Sequence, residues 1–372
     1  MLRTVYLTPP NISSAHIEKK VVCIRSHRER IFQVSTEKKD EKLICHLYGH
    51  GGAGWTFLFG SVAKGIRQLH EQIERNPAYK HKPICVIGAG CYGLLSAIEL
   101  TRMGHSVKII AKETTDLPSD RAAGFFFPRP RKCSTDEERA IFTSVGMESY
   151  QAYAHIALGK HPFISNASKL MPAYYDPDID PGFGPYISKG LLPAPEKVII
   201  DFQNGKRHEA MEYKTVFINP ADIMAELRRA VSKLGITIET KEIQSLAELP
   251  ESILFNCAGK SAPHFNNDSR MVPVQGHLIT LKEQPSMDDL QYMINVRVPQ
   301  VSTKGWSRDE LLYYAPKENG ILGITFIRGE ASETANMHEF DRLLDRAQRF
   351  FGIPARKPPL IDENVTTQNQ PQ

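Results

Sequence analysis

The sequence predicts an α/β fold. A short apolar strand, a glycine turn and an apolar helical pattern follow one another twice, at residues 43–74 and 84–104. Longer, irregular, strand-rich stretches lie between and after the elements predicted beyond residue 218. Because one nucleotide needs only one such turn, the chain either binds two ligands or holds the two ends of one long cofactor.

Composition is that of an ordinary soluble globular protein. The 372 residues are 41% hydrophobic and 24% charged, which suits two domains or one interleaved pair. The net charge of +4 gives no reason to expect nucleic acid or a membrane surface as a partner. We find no run of 18 apolar residues, no basic-then-apolar leader and no terminal S-K-L address, so the cytoplasm is the expected location.

Cysteine and histidine spacing argues against a metal site. The six cysteines form no C-x-x-C pair, and most lie in apolar strand-like stretches, so we interpret them as small buried side chains. The thirteen histidines show no ligand spacing such as H-E-x-x-H. The sequence therefore predicts no metal cofactor.

The two strand–turn–helix units occupy the first third of the chain, where polar and proline-bounded segments separate the apolar patterns. In chain order the predicted segments are a strand at 19–25, an exposed turn at 35–42, a strand at 43–48, a helix from Thr56 to about Glu74, a linker at 76–83, a strand at 84–87, a helix at 93–104 and a strand at 106–111.

Later elements are fewer and more widely spaced. A helix is predicted after Asn219, a plausible N-cap, with Pro220 in its first turn and Gly235 as its stop. The strands "ITIET" and "SILFNCAG" follow, and another helix is predicted near residues 336–351. The last eighteen residues, rich in Pro, Gln and Asn, are predicted to be a loose tail.

The second glycine turn reads "GAGCYG", a G-x-G-x-x-G motif. Gly88 suits a tight strand-to-helix turn, Gly90 lets a pyrophosphate approach the backbone, and Gly93 lets helix and strand pack closely. The helix N-terminus supplies amide donors to the phosphates. A purely structural turn is the alternative, but the flanking strand and helix favour a Rossmann-like dinucleotide-binding unit.

The residues after the next strand do not choose between NAD and FAD. Ala111 occupies the usual position of the ribose-binding acid, and Lys112 and Glu113 follow it. Glu113 could reach the ribose or Lys112 lie along the adenosine; alternatively, both are solvated loop charges. Ala258 and Gly259 follow a buried strand and are small enough for backbone to pass close to a cofactor, as in FAD-binding domains of the two-dinucleotide-fold type; a plain core strand is the equal alternative.

The first glycine turn, "YGHGGAGWT", resembles the flavin-binding segment near the C-terminus of the D-amino-acid oxidase family, within the glycine/sarcosine oxidase superfamily. The segments "VIGAGCYGL", "DRAAGFFFP", "NCAGKSA" and "VPVQGHLITL" carry the same resemblance, which covers roughly residues 21–70 and 84–350. In the family, the G-x-G-x-x-G turn opens the chain and the other turn closes it. The reversed order here is interpreted as a circular permutation of that fold, with the new termini in the substrate domain.

The resemblance implies FAD as the cofactor, bound by a two-dinucleotide-fold domain interleaved with a β-rich substrate-binding domain. The FAD-binding domain is expected at residues 42–135 and 216–262. The substrate-binding domain is expected at residues 1–41, 136–215 and 263–354, with the tail at 355–372.

The resemblance also assigns expected cofactor contacts, each a small or polar residue on one of the matching segments. Pyrophosphate contacts fall on the 88–93 turn, flavin contacts on the 119–124 and 49–56 segments, and further contacts after two strands. These residues are Gly88, Ala89, Gly90, Tyr92, Gly93, Lys112, Glu113, Ser119, Ala122, Ala123, Gly124, Ala258, Gly259, Gly51, Gly54, Trp55 and Thr56.

Three residues are expected to act on the substrate. Arg25 matches the family arginine that grips the substrate carboxylate, for which a guanidinium fork is well suited. The Gly52 carbonyl is expected to meet the amine, and Tyr213 is a candidate for a second carboxylate or lid contact. Tyr313 and Tyr314 are alternatives to Tyr213.

The implied reaction oxidises the CH–NH2 group of a D-amino acid. Hydride would pass from Cα to flavin N5, and the imino acid would hydrolyse to a 2-oxo acid and ammonia, with H2O2 formed if dioxygen is the acceptor. Orientation over the ring replaces a side-chain base. The alternatives are a glycine/sarcosine-type or secondary-amine oxidase of a biosynthetic pathway, an NAD-dependent dehydrogenase, and a non-catalytic flavoprotein. The expected partner is a small amino acid or amine.

Overall fold

The computed structural model describes residues 1–129, 133–301 and 307–354, which form two β-sheets and the helices around them. The strands are β1 (Arg3–Tyr6), β2 (Ile17–Arg28), β3 (Gln33–Lys39), β4 (Lys42–Tyr48), β5 (Ile84–Ile87), β6 (Val107–Ala111), β7 (Ser168–Tyr175), β8 (Glu196–Asp201), β9 (Arg207–Ile218), β10 (Thr237–Thr240), β11 (Ile253–Asn256), β12 (Met271–Leu281), β13 (Met293–Val301), β14 (Ser307–Ala315), β15 (Ile321–Gly323) and β16 (Ile327–Arg328).

The α-helices vary from one turn to six turns in length. They are α1 (Leu58–Arg75), α2 (Cys91–Arg102), α3 (Pro118–Arg121), α4 (Asp136–Ala157), α5 (Gly184–Ser188), α6 (Pro220–Lys233) and α7 (Met337–Phe351). The predicted helices at Thr56–Glu74, 93–104, 219–234 and 336–351 correspond to α1, α2, α6 and α7. Among the residues described, no helix has the length and apolar character that a membrane crossing requires.

The smaller sheet has the strand order β10-β6-β5-β11-β4-β3. Its first five strands run parallel, and β3 pairs antiparallel with β4. All four residues of β5 and of β11 are buried, as expected for parallel strands covered on both faces. Strand β11 lies between β4 and β5, so the two predicted glycine turns leave the same edge of the sheet, on either side of β11.

Strand β3 corrects the prediction of an exposed turn at residues 35–42. Residues 33–39 pair with β4, and the turn is confined to residues 40–41, where Asp40 has a positive φ of 54°. The second half of β3 is exposed and charged, which is typical of an edge strand and hides its strand pattern. Residues 33–39 therefore lie in the smaller sheet.

The larger sheet has the order β1-β8-β9-β7-β13-β14-β15-β12-β16, with β2 also paired to β12. The antiparallel β2–β12 pair is long and places Arg25 opposite Val274. Helix α7 packs its buried face, which includes Phe340 and Leu343, into the core that covers this sheet. The sheet thus presents β2 and β12 at the side where the two regions meet, because β2 also contacts the 51–53 turn.

Helix α4, 22 residues long, is not among the elements predicted from the sequence, which include none between residues 112 and 218. Thr135 caps it by accepting a hydrogen bond from the Glu138 amide at 3.2 Å, and three acidic residues occupy its first turn. Both are sequence signals for a helix start. Helix α4 packs on α1 so closely that a Cβ at Gly60 would overlap the Val145 carbonyl.

Candidate functional site

The 88–93 turn connects β5 to α2 through contacts that only glycine allows. Gly88 has a φ of 108°, and a Cβ there would lie 2.6 Å from the Cys257 carbonyl oxygen on the neighbouring β11 segment. A Cβ at Gly93 would overlap the Gly88 carbonyl oxygen. The N-cap residue of helix α2 is Gly90. Because it has no side chain, it cannot cap the first backbone N–H groups of the helix. The motif therefore has the local geometry predicted for it.

The 49–54 turn follows β4 at the same sheet edge. Residues Gly51–Ala53 form a single helical turn, in which Gly51 has a φ of 61°, and helix α1 starts shortly afterwards at Leu58. The Tyr92 hydroxyl donates to the Gly54 carbonyl at 2.7 Å. This hydrogen bond joins the two glycine turns directly, as expected if they serve one extended ligand.

The 119–124 segment connects to both turns. The Ser119 hydroxyl accepts a hydrogen bond from the Cys91 amide at the start of α2, at 3.2 Å. The Ser119 carbonyl accepts one from Trp55 Nε1, also at 3.2 Å. Thr56 accepts from the Phe127 amide at 3.1 Å. The predicted flavin-lining segment is thus held between the two predicted cofactor turns.

Small residues continue along this segment. Gly124 has a φ of 95°, and a Cβ there would overlap the Ile218 carbonyl oxygen at the end of β9. Ala123 is buried and packs with Leu278 and Ile321, which belong to the larger sheet. The segment therefore lies at the junction of the two sheets.

The remaining predicted cofactor residues lie at the ends of β6 and β11. Ala258 and Gly259 follow β11 after Cys257, and the space that a Cβ at Gly259 would occupy has no heavy atom within 4 Å. Lys112 and Glu113 follow β6, and both are exposed. Lys112 pairs with the exposed Glu242 at 2.9 Å, which raises the lysine pKa and matches the alternative interpretation of a solvated loop charge.

Arg25 lies beside the 49–54 turn. A Cβ built at Gly52 would be 3.3 Å from Arg25 Cδ and 3.6 Å from its Nε. Arg25 Nη1 donates to the Thr325 carbonyl at 3.0 Å, and the Phe326 ring lies 4.9 Å from the guanidinium carbon. The Arg25 side chain is half-buried, so it combines a fixed position with access from solvent.

Gly276, in the segment "VPVQGHLITL", adjoins Arg25 but is not among the site residues predicted from the sequence. A Cβ there would overlap the guanidinium of Arg25, so the arginine occupies the space above this glycine. The neighbouring His277 holds Thr325 by two hydrogen bonds to its hydroxyl, from the His277 amide at 3.0 Å and with Nδ1 at 2.7 Å. Only the β2–β12 pairing reveals this arrangement.

The three candidate tyrosines lie in different parts of the structure. Tyr213 packs in an aromatic cluster, with ring centroids 5.4 Å from Tyr175 and 5.1 Å from Phe183. Tyr314 is fully buried in the core of the larger sheet. Tyr313 instead packs 5.0 Å from Phe125 and lies near enough to Arg25 that the guanidinium opposes the rise in its pKa caused by burial. Of the three, Tyr313 is the one associated with Arg25.

The residues at this junction fit an extended dinucleotide. Two glycine turns and one small-residue segment meet at the carboxyl ends of parallel strands, where nucleotides bind in such sheets. Each position that is predicted to approach the ligand through its backbone carries a small side chain. These positions are Gly51, Gly52, Gly54, Gly88, Gly90, Ala122, Ala123, Gly124, Ala258 and Gly259.

Comparison with known families identifies the class. The model of the DAO family, described as FAD dependent oxidoreductase, matches residues 83–368, which is more than half of the chain. The chain therefore belongs to the FAD dependent oxidoreductase family, and FAD is its cofactor. The match begins at the residue before β5, so Arg25 and the 49–54 turn lie outside it.

The individual relatives and solved structures share only low sequence identity with the chain. The human D-aspartate oxidase is 26% identical over 214 residues, which cover 54% of this chain and 59% of that protein. The L-proline dehydrogenase of P. horikoshii has a TM-score of 0.50 and 13% sequence identity, covering 73% of this chain and 77% of the other. The latter similarity indicates the fold alone.

Proposed function

We propose that this protein oxidises the CH–NH2 group of a D-amino acid, using FAD as the electron acceptor. The observation that carries the proposal is the proximity of the Arg25 side chain to Gly52. A guanidinium is suited to binding a carboxylate, and the family resemblance assigns the neighbouring turn to the flavin ring, so this proximity supports the proposal. The similarity to a protein named D-aspartate oxidase supports the same substrate class.

Arg25 would bind and orient the substrate carboxylate. Its Nη1 already donates to the Thr325 carbonyl, while the planar guanidinium has further donors for two carboxylate oxygens. Because Gly276 has no side chain, the guanidinium can lie close to β12 and leave the opposite side to the ligand. Such fixed positioning is the main contribution that a protein makes when the cofactor supplies the redox chemistry.

The Gly52 carbonyl would accept a hydrogen bond from the substrate amine. With the carboxylate on Arg25 and the amine on Gly52, two of the four groups on Cα would be held in place. Bound FAD would supply a hydride acceptor at N5, giving reduced FAD and an imino acid that water converts to a 2-oxo acid and ammonia. We propose Tyr313, rather than the sequence candidate Tyr213, as the tyrosine whose hydroxyl lies near the substrate.

We also propose that the chain order is a circular permutation of the family fold. Strand β4 and its glycine turn precede β5 in the sequence, yet β4 lies parallel beside β11 in the same sheet. The family match starting at residue 83 is consistent with an original first strand at β5. Permutation keeps the packed core and moves only the chain ends, so it is compatible with an intact site.

A glycine-type or secondary-amine substrate is the second candidate. It needs the same carboxylate contact at Arg25 and differs only in the groups around Cα and nitrogen. Anaerobic absorbance titration of the FAD-loaded protein separates the two. Bleaching of the flavin by D-amino acids supports the proposal, whereas bleaching only by sarcosine, glycine or proline replaces it with the second candidate. A flavin that none of them bleaches contradicts both.

A further inference from the structure

Lys317 is a buried lysine that the substrate chemistry described above does not use. It follows β14, is 3% exposed, and donates from Nζ to the Asp120 carbonyl at 2.9 Å and the Ala122 carbonyl at 3.0 Å. Glu318 lies 4.0 Å from the ammonium but is itself largely exposed. Burial lowers the pKa of Lys317, and nearby carboxylates, Glu318 first, oppose this shift. A buried charge is costly, so its two carbonyl partners form a built arrangement rather than a chance contact.

The two carbonyls belong to the 119–124 segment, whose ends are also fixed. The Ser119 carbonyl accepts from Trp55, and the Gly124 carbonyl accepts from the Ile218 amide at 2.9 Å. The Asp120 carboxylate forms a two-point ion pair with Arg228, at 2.8 and 2.9 Å. Lys317 is therefore the support for the middle of a segment that other contacts hold at both ends.

The geometry of the peptide bond determines where the neighbouring backbone amides point. The peptide bonds of this segment are trans, and in a planar trans peptide the C=O of one residue points opposite to the N–H of the next. Since Lys317 attracts the carbonyls of Asp120 and Ala122, the amides of Arg121 and Ala123 point away from the ammonium. The Ala123 amide is a backbone donor of the kind that the oxygen- and nitrogen-rich edge of a flavin ring would bind.

We propose that Lys317 is a positioning residue for FAD: it orients the Ala123 amide toward the flavin ring and adds a positive charge that stabilises the reduced cofactor. The proposal rests on the FAD-binding part of the proposed function and is independent of the substrate. A positive charge in a low-dielectric junction acts over longer distances than it does in water. It would favour the electron-rich, reduced form and so raise the reduction potential.

Two substitutions separate the two parts of this role. Lys317→Met removes both donors and the charge, whereas Lys317→Gln keeps amide donors and removes only the charge. FAD affinity is measured by flavin fluorescence quenching on addition of apoprotein, and the midpoint potential by equilibration with redox dyes. We expect Lys317→Met to weaken FAD binding about tenfold or more, as loss of two hydrogen bonds from a charged group implies. Both variants should show a lower midpoint potential than the wild type.

Exposed Lys197 on β8, paired with Glu209 on β9, provides the control, and Lys197→Met should match the wild type in both measurements. Wild-type affinity in a folded Lys317→Met protein, or a wild-type potential in Lys317→Gln, overturns the proposal. If Lys317→Met does not fold, the potential of Lys317→Gln decides alone. Failure of the wild-type protein to bind FAD would instead refute the proposed function.

Discussion

The Tyr92 hydroxyl and the Gly54 carbonyl, 2.7 Å apart, join the two glycine turns of this protein. Tyr92 lies in the first turn of α2, and Gly54 ends the turn after β4. The two residues are 38 positions apart in the sequence, and the parallel order β5-β11-β4 brings them to one sheet edge. Two turns at one edge suit one long cofactor rather than two separate ligands.

Removing that hydroxyl should weaken FAD binding. Tyr92→Phe leaves the ring in place but deprives the Gly54 carbonyl of its donor, at a cost of about 1 kcal/mol or several-fold in affinity. Fluorescence titration of the apoprotein with FAD measures the change. An unchanged dissociation constant would mean that the bond does not couple the turns to the cofactor.

A methyl group at Gly93 should be far more damaging. The added Cβ would overlap the Gly88 carbonyl and force α2 away from β5, so we expect Gly93→Ala to abolish measurable FAD binding. Gly184→Ala is a matched control, because a Cβ at Gly184 meets no heavy atom within 4 Å and its φ lies outside the left-handed region. Equal FAD affinity in the two variants would contradict the assignment of the pyrophosphate turn.

Gly276 should control the substrate and not the cofactor. Gly276→Ala overlaps the Arg25 guanidinium, so Arg25 must move, and we expect KM for the amino acid to rise about tenfold or more. FAD affinity and the flavin absorbance spectrum should stay as in the wild type. A rise in the FAD dissociation constant with no change in KM would place Gly276 in the cofactor site instead.

The surroundings of Arg25 predict the accepted side chain. Phe326 lies against the guanidinium, and Phe125 packs on the neighbouring Tyr313, so aromatic surface borders the carboxylate site. Such surface favours an uncharged substrate side chain because it provides no partner for a second carboxylate. Steady-state kinetics should give a higher kcat/KM for neutral D-amino acids than for D-aspartate. The reverse order would refute this view of the pocket.

His161 should make the fold sensitive to acid. Burial, and secondarily Arg102 and His155, lowers its pKa to about 4, while its Nδ1 accepts from the Ile164 amide at 3.2 Å. The unfolded chain, with a histidine pKa near 6.5, binds the proton more readily. Stability should therefore be complete above about pH 6.5 and fall as the pH approaches 4.

Urea unfolding at several pH values measures this effect. His161→Asn keeps an acceptor for the Ile164 amide and has no titrating ring, so its stability should fall less steeply over the same pH range. Parallel pH profiles for the wild type and the variant would show that His161 is not the responsible group.

Local patterns predicted much of this fold. The strand–turn–helix units around Gly88 and Gly54 were recognisable because their signals lie within about 30 consecutive residues. Strand β3 and helix α4 were missed for different reasons. The charged outer half of β3 resembles a turn, and the capping residue Thr135 of α4 was overlooked in a stretch with no clear overall pattern.

The site was harder to predict because it depends on distant pairings. Arg25 was identifiable through its place before the 49–54 turn. Its neighbour Gly276 is about 250 residues away, and only the register of β2 on β12 brings the two together. The adjacent tyrosines Tyr313 and Tyr314 point to opposite faces of β14, and sequence alone did not indicate which face borders Arg25.

Arg25 is proposed to hold the substrate carboxylate beside the Gly52 turn. The most direct measurement compares wild type and Arg25→Ala on a D-amino acid and on the matching amine that lacks the carboxylate, with Arg207→Ala as an exposed-arginine control. We expect Arg25→Ala to lower kcat/KM for the amino acid about 100-fold and to leave kcat/KM for the amine unchanged. An equal loss on both substrates, or no loss on the amino acid, would contradict it.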